Sequence, residues 1–587
     1  MASPLRSLLL AAALSLPAVV GAGKIYTSPA LVTKKYDFIV VGAGVGGSTV
    51  AARLSEKASV NVLLIEAGGL DNATSVFETI YVPLMAGTGS GGELDWQYTT
   101  APQAGLNGRT LPYPRGKVLG GSSAINGMIY WRGSADEYNR IATVSGESGW
   151  KWSNLKSYML KNEKHTAPWN NRFNVGEYDP AWHGSGPLLT GLTPEPFELD
   201  KRVVATAKAN ATFNLDVNSG NGVGVTWLGT TVGNGMRSTA ASAYLHPAVN
   251  ARSNFDILIN TQATKLVQTA SKTFRGVTVA QSASGKAYTL TATKEVILSA
   301  GSIGTPQLLM LSGIGPRSQL SSLGISTVLD VPDVGKNLQD QTILALQWQV
   351  NSGIETLSSF LSNATAFGLA ISDWETNGHT GFAAGNTVVN TISYSRLPSS
   401  APILKTIGTD PAAGPTSPHF QLAFMNFFYP NPGQTTPAGN YNSICIVLAS
   451  PTSRGSLNIT SSSAFTYPSI NPNILTTDFD IKATIAGARA AAGILRLPAA
   501  ALASDAALEA YIRKYTNSLE HPTSTARISK NSDKTGVVGP RLLVKGVTGL
   551  RVVDASVLPA APASFPQGEI YVLAERAADF IKEAWNL

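Results

Sequence analysis

One cysteine, Cys445, stands in 587 residues. No disulfide can close within the chain, and no thiolate cluster can hold a metal, so the fold rests on its core alone. With neither a second Cys nor a basic neighbour, Cys445 reads as a buried hydrophobe. Charge is scarce as well: 14% of the residues are charged and 43% hydrophobic. That excludes a disordered or acidic-tail protein and supports a large core. The 44 Lys and Arg outnumber the 37 Asp and Glu, for a net charge of +7. No basic run concentrates it, so nucleic acid is not an expected partner. Only six histidines are present. None falls in an H-x-H or H-E-x-x-H pattern, and no clean G-x-S-x-G elbow occurs, which removes the metal-centre and serine-hydrolase readings. The 56 glycines and 33 prolines follow no three-residue period, so collagen is out.

Long apolar runs are equally rare. Leu8 to Val20 is apolar, follows the single basic Arg6, and ends at Gly21, Ala22 and Gly23. Residues 1–22 therefore read as a secretory signal peptide, too short for a comfortable membrane span. No other stretch reaches about 18 apolar residues, so no membrane is expected among the partners. The expected location is outside the cell or the lumen of the secretory pathway. Four N-x-S/T triplets, at Asn72, Asn210, Asn363 and Asn458, agree with that as candidate glycosylation sites.

Chemistry begins at Tyr36-Asp-Phe-Ile-Val-Val41, a short strand-like run entering Gly42-Ala-Gly44-Val-Gly46-Gly47 and then a helix-compatible stretch from Ser48 to Glu56. Asn61 to Ile65 is a second apolar strand, closed by Glu66. This is a βαβ unit with G-x-G-x-x-G at Gly42, Gly44 and Gly47 and a well-timed acid, the pattern of a dinucleotide site. Gly42 permits the tight turn, Gly44 lets the backbone approach a pyrophosphate, and Gly47 lets helix and strand pack closely. The helix N-terminus offers N–H groups to phosphates. Glu66 is placed to accept from ribose hydroxyls and disfavours a 2′-phosphate. The unit alone leaves NAD and FAD open.

Further motifs decide between them by resemblance. Arg115-Gly-Lys-Val-Leu-Gly-Gly-Ser-Ser-Ala-Ile-Asn-Gly-Met128 resembles the first signature of the glucose–methanol–choline (GMC) flavin oxidoreductases. Ser299-Ala-Gly-Ser-Ile-Gly-Thr-Pro-Gln307 resembles the second, and Val334 to Asp340 and Gly549 to Ser556 resemble two further elements, in family order. Around Asp95-Trp-Gln-Tyr98 the chain looks most like the fungal aryl-alcohol oxidase branch. The resemblance implies an α/β and α+β architecture: a Rossmann-like FAD-binding domain beside a substrate-binding domain with an antiparallel sheet. It also implies FAD as cofactor. Gly121 and Ser122 would offer permissive backbone and a hydroxyl to it, with Arg115 in the same segment. Asn126, Gly127 and Met128 match the stretch lying against the isoalloxazine ring. Asp554 matches an acid near the pyrophosphate, Ala263 a backbone contact to adenine, and Gln567 a cofactor-side position. No His lies in the Gly120–Met128 loop, so noncovalent FAD is expected.

In the same comparison Glu520-His521-Pro522 matches the segment presenting the catalytic histidine, which takes an alcohol proton as hydride passes to flavin N5. A ring whose ordinary pKa is about 6.5 suits that exchange. The family's second active-site position, normally His or Asn, falls on Phe565, which has no donor or acceptor. Ser564 and Glu520 are the polar neighbours able to compensate. Gln341, where a His often follows Asn-Leu-Gln-Asp, and Gly539, where Asp is usual, also depart from the pattern. His183 reads as structural; His165, His246, His379 and His419 carry no motif and read as surface or loop residues.

Motif order predicts an FAD domain assembled from about 30–165, 230–320 and 515–587, with a substrate domain from 166–229 and 321–514. Ala483–Leu497 predicts an alanine-rich helix that Pro498 ends. The function expected is FAD-dependent oxidation of a small aromatic, allylic or secondary-metabolite alcohol, with oxygen or a quinone as electron acceptor. The alternative is a GMC-fold cyclase, isomerase or dehydratase with structural FAD and no net redox, motivated by Phe565.

Overall fold

The computed structural model describes residues 21–351, 353–385, 388–495 and 504–587. The expected signal segment lies outside the described residues except for Gly21 and Ala22, and so does Pro498.

Tyr36–Val41 is buried at every position but Asp37. Such a run, apolar on both faces, belongs in the middle of a parallel sheet covered by helices. It pairs in parallel with Val62–Ile65, Phe38 opposite Val62. The larger sheet runs in the order Ile25–Tyr26, Phe255–Leu258, Val62–Ile65, Tyr36–Val41, Tyr288–Leu298, Thr273–Ala280, Gln262–Ala270. Tyr288–Leu298 serves two systems. Its last residues lie in parallel between Tyr36–Val41 and Leu550–Val552, and its first residues carry the antiparallel meander through Thr273–Ala280. The C-terminal segment thus completes the nucleotide sheet, and its helix Gln567–Trp585 packs on the helix Val45–Leu54.

The smaller sheet is antiparallel, in the order Asn517–Ser518, Thr342–Gln349, Tyr441–Leu448, Phe420–Met425, Thr391–Ser395, Gly224–Trp227. Its period of two sorts the side chains. Leu344, Leu422, Phe424, Ile444 and Ile446 pack with Phe479, Ala483 and Ala488 of the helix Asp478–Leu495. Their alternates Ile343, Ala345, Ala423, Met425, Cys445 and Val447 form a second cluster with Trp131 and Phe565. Cys445 is fully buried, and burial pushes its thiol up. The pair Asn517–Ser518, expected in the first unit, adds an edge to the second sheet, because the chain crosses between the sheets just there. That crossing carries His521.

No described helix is long and apolar enough to cross a membrane, and among the described residues no cluster of His, Cys, Asp or Glu could hold a metal ion. Asn72, Asn210 and Asn363 are exposed, whereas Asn458 is half-buried in the strand Gly455–Asn458.

Candidate active site

A cleft with about 1220 Å³ of empty space, part of it open to solvent, runs along the C-terminal edge of the parallel strands. Its walls include Gly42, Gly44, Glu66, Arg115, Gly121, Ser122, Ala263 and Asp554, and it reaches Pro522 beside His521. Gly42 has φ +100°, and a Cβ there would lie 2.3 Å from the Ser299 carbonyl oxygen. A Cβ on Gly47 would lie 1.9 Å from the Gly42 carbonyl oxygen, so the helix approaches the turn this closely only because Gly47 has no side chain. Gly44 is different: a Cβ there would meet no protein atom within 4 Å. Its missing side chain keeps the cleft open where a pyrophosphate must approach. Gly121, at φ +54°, closes on it from the other loop, its would-be Cβ 2.7 Å from Gly44 Cα.

Two helices, Val45–Leu54 and Gly301–Leu311, begin at this cleft. The first N–H groups of a helix have no intrahelical acceptor, and the helix dipole favours anions there. Glu66 is buried and braces the loop: Oε2 accepts the Ala43 N–H at 2.9 Å and Oε1 the Gly68 N–H at 2.8 Å. Burial raises its carboxyl above the usual range against those donors. Asp554 accepts from Gly301 N at 3.0 Å, Thr305 Oγ1 at 2.6 Å and Ser556 N at 2.9 Å, tying the second helix to the last strand. Permissive backbone, helix starts and open space at Gly44 together fit an extended flavin dinucleotide.

Asn126, Gly127, Met128 and Gln567 do not line this cleft. Asn126 Nδ2 donates to Gln567 Oε1 at 3.2 Å, and Gln567 Nε2 donates to the Ile129 carbonyl at 2.6 Å. Asn126 Oδ1 accepts from Met128 N at 3.0 Å and from the buried Arg237 guanidinium at 2.9 Å. Met128 is fully buried at φ +63° and Gly127 is exposed. These residues fasten the first signature to the C-terminal helix.

At the far end His521 is held from several sides. Its backbone N–H donates to Asp340 Oδ1 at 2.7 Å. Asp340 Oδ2 also accepts from Tyr113 at 2.8 Å and from Ser518. The ring Nδ1 lies 2.6 Å from Gln341 Oε1, and Phe565 meets the ring edge-on with centroids 5.5 Å apart. Burial, with the Arg115 guanidinium nearby, pulls the imidazole down to about 3. Arg115 itself donates to the Glu520 carbonyl, and its own N–H donates to Asp95 Oδ1 at 2.8 Å. Glu520 sits at φ +64°, and burial pushes its carboxyl up to about 7, Arg115 opposing and Asp340 and Asp95 adding to the rise.

Ser564 does not compensate for Phe565. Its hydroxyl donates to Glu569 Oε1 at 3.0 Å, buried. Glu569 is held well above the usual carboxylate range by burial and by Glu137, and Glu137 accepts the Ala563 N–H. This carboxyl pair fixes the turn that presents Phe565. Phe565 belongs to a buried hydrophobic cluster with Trp131, Leu228 and Ala345, against which Ile129, Phe427, Tyr429 and Leu519 pack.

The other histidines lie outside the site. His183 is clamped between Glu163 at 2.7 Å and Asp216 at 2.8 Å, a structural role. His419 is not a surface residue: it is fully buried, Nδ1 accepting the Leu397 N–H at 2.9 Å and Nε2 facing Asp410 at 2.7 Å. His165 stacks on Tyr178 at 3.9 Å, His379 lies beside Trp374, and His246 contacts Asp71 at 3.0 Å. Sequence reasoning missed Thr261 and Gln262 as cleft walls, since single residues between strands carry no pattern. Gln341 drew notice only as a departure.

The GMC oxidoreductase profiles match residues 36–343 and 451–574 of the chain. The chain belongs to the GMC oxidoreductase family. A pyranose dehydrogenase of Agaricus campestris is 36% identical over 578 residues, 94% of each protein. Among solved structures, a variant of the Aspergillus oryzae formate oxidase, described for its FAD modification, superposes with a TM-score of 0.85 at 29% identity, covering 94% of this chain and 99% of that one. A fungal aryl-alcohol oxidase superposes at 0.80 with 27% identity, covering 94% of this chain and all of that one. The cofactor is FAD, and this GMC protein is an FAD-dependent oxidoreductase acting on CH–OH groups.

Proposed function

We propose that this GMC oxidoreductase oxidises a small aromatic, allylic or secondary-metabolite alcohol, with His521 as the base. The carrying observation is the contact of an anchored, neutral His521 with Phe565, which belongs to a hydrophobic cluster. A sugar presents a hydroxyl on nearly every carbon, and burying hydroxyls without partners costs about 1–3 kcal/mol each. An aryl or allylic body instead gains from ring contact with Phe565, Phe427 and Tyr429. His521 takes the hydroxyl proton, Asp340 holds its backbone, and the apolar walls exclude water. When bound, FAD supplies the acceptor for the hydride leaving the carbinol carbon. Oxygen or a quinone is the proposed final acceptor, FAD is held noncovalently, and the protein works in or beyond the secretory pathway, as the exposed Asn72, Asn210 and Asn363 support.

Comparing an aryl alcohol with glucose under a quinone acceptor tests the substrate class. Aldehyde formation with a higher kcat/KM for the aryl alcohol is expected; a preference for the sugar overturns the proposal. Phe565 also favours a second reading, an isomerase, cyclase or dehydratase with structural FAD, because the position offers a substrate hydroxyl no hydrogen bond. A product formed without consumption of any electron acceptor would establish that reading instead.

A further inference from the structure

We infer that Gln341 sets the tautomer of His521, keeping the proton on Nδ1 and leaving the lone pair on Nε2 as the base, and is thereby a positioning residue for the reaction.

The inference starts from the amide, whose direction is decided by its other end. Gln341 is fully buried. Its Nε2 donates to the Ala449 carbonyl at 3.0 Å and to the Pro562 carbonyl at 2.9 Å. Both are acceptors only, so the NH₂ must face them and Oε1 must face the histidine. Oε1 lies 2.6 Å from His521 Nδ1, and a carbonyl oxygen can only accept. Nδ1 is therefore the donor. A neutral imidazole carries one N–H, so Nε2 holds the free pair.

The neighbourhood gives this arrangement sole responsibility. Asp340 and Gln341 are consecutive residues leading into the strand Thr342–Gln349; the first holds the His521 backbone and the second its ring. Gln341 also accepts the Leu519 N–H through its own carbonyl at 2.9 Å, so both ends of the short His521 segment are fixed to one strand. The charge acting on the ring is that of Arg115; Asp340 binds the His521 backbone, and Glu520, the preceding residue, interacts with Arg115, Asp340 and Asp95. Phe565, on another side, offers no hydrogen bond that could reorient it. A neutral amide selects the tautomer without the charge that a carboxylate would add, which suits a base that must start unprotonated. Where a tautomer-setting partner is lost from a serine-protease triad, turnover drops about 10⁴-fold.

The consequence for rate rests on the alcohol-oxidation proposal; the tautomer does not. The test uses the FAD-loaded protein labelled with ¹⁵N at histidine. With six histidines in the chain, the ring signals are few, and His521→Gln identifies the one that disappears. A protonated Nδ1 and an unprotonated, pyridine-type Nε2 are expected from pH 5 to 8. An Nε2–H ring, or two protonated nitrogens, overturns the inference. Gln341→Leu is expected to admit the Nε2–H form and to slow flavin reduction at least tenfold with KM changed less than threefold. Gln341→Glu is expected to keep Nδ1–H and to bring an acid limb into the pH profile, since a carboxylate at Nδ1 raises the ring pKa. If both variants lose only stability and leave the tautomer and the profile unchanged, the inference fails. Should Gln341→Leu not fold, the spectrum of the unaltered protein decides. The expected tautomer in a protein whose flavin no alcohol reduces would sustain the inference and sink the substrate proposal.

Discussion

The imidazole of His521 meets the phenyl ring of Phe565 edge-on, with centroids 5.5 Å apart and planes at 84°. An anchored base thus touches a ring that can neither donate nor accept a hydrogen bond. Specificity by shape follows from that arrangement.

Truncating the wall should act on binding more than on chemistry. Phe565→Ala is expected to raise KM for an aryl alcohol about tenfold, the loss of an aromatic contact of roughly 1–1.5 kcal/mol, with kcat within about threefold. Steady-state kinetics separate the two. A fall in kcat at constant KM would place Phe565 in the proton-transfer step.

The glycines of the cleft allow the fold and the cofactor to be tested apart. Gly44→Ala puts a methyl group into space that no protein atom occupies within 4 Å. Its FAD affinity is expected to fall at least tenfold while the Tm of the flavin-free protein stays unchanged. Gly47→Ala drives a methyl into the Gly42 carbonyl and is expected to lower that Tm itself. Flavin titration and thermal melts on both variants check this. Equal effects of the two on the melt would contradict the role given to Gly44.

Glu520 brings a pH dependence that His521 does not. With the ring pulled down to about 3, the base is neutral throughout the working range. Burial pushes the Glu520 carboxyl up to about 7, and a negative charge on this residue, next to His521 in the chain, would favour the imidazolium formed when His521 takes a proton. Flavin reduction should therefore rise as pH increases through about 7, by roughly tenfold for every 1.4 kcal/mol of that interaction. Glu520→Gln should flatten the rise. A limb that survives in that variant would belong to another group.

His183 gives stability a second dependence. Against the downward pull of burial, Asp216 and Glu163 push its ring up to about 9. A folded pKa above the ordinary 6.5 contributes stability that is complete below about 6.5 and is lost as pH rises through 9. The difference in unfolding free energy between the protein and His183→Gln should be on the order of 3 kcal/mol at pH 6 and shrink towards pH 9. Denaturant melts across that range measure it.

Much of this was legible in the chain, and the boundary is physical. Tyr36–Val41 and Gly42–Gly47 announced themselves because a parallel strand and a phosphate turn constrain residue types locally. The pairing of Tyr288–Leu298 with Leu550–Val552 was not, since a register between strands some 250 residues apart leaves no trace in either. At the site, His521 and Phe565 were found by matching motifs, but Gln341 was visible only as an oddity. Its role depends on Ala449 and Pro562, two carbonyls from distant segments that no spacing rule connects. Ser564 misled for the same reason: its partner Glu569 lies in the first turn of the helix that follows, and only the fold turns that hydroxyl towards it.

The most direct measurement mixes the FAD-loaded protein with aryl, allylic and furan alcohols without oxygen and follows the visible flavin band. The expected result is bleaching in the unaltered protein that slows at least a hundredfold in His521→Ala, with flavin content retained. Full-rate bleaching in His521→Ala, or substrate converted while the band stays unbleached, would contradict oxidation by His521 and FAD.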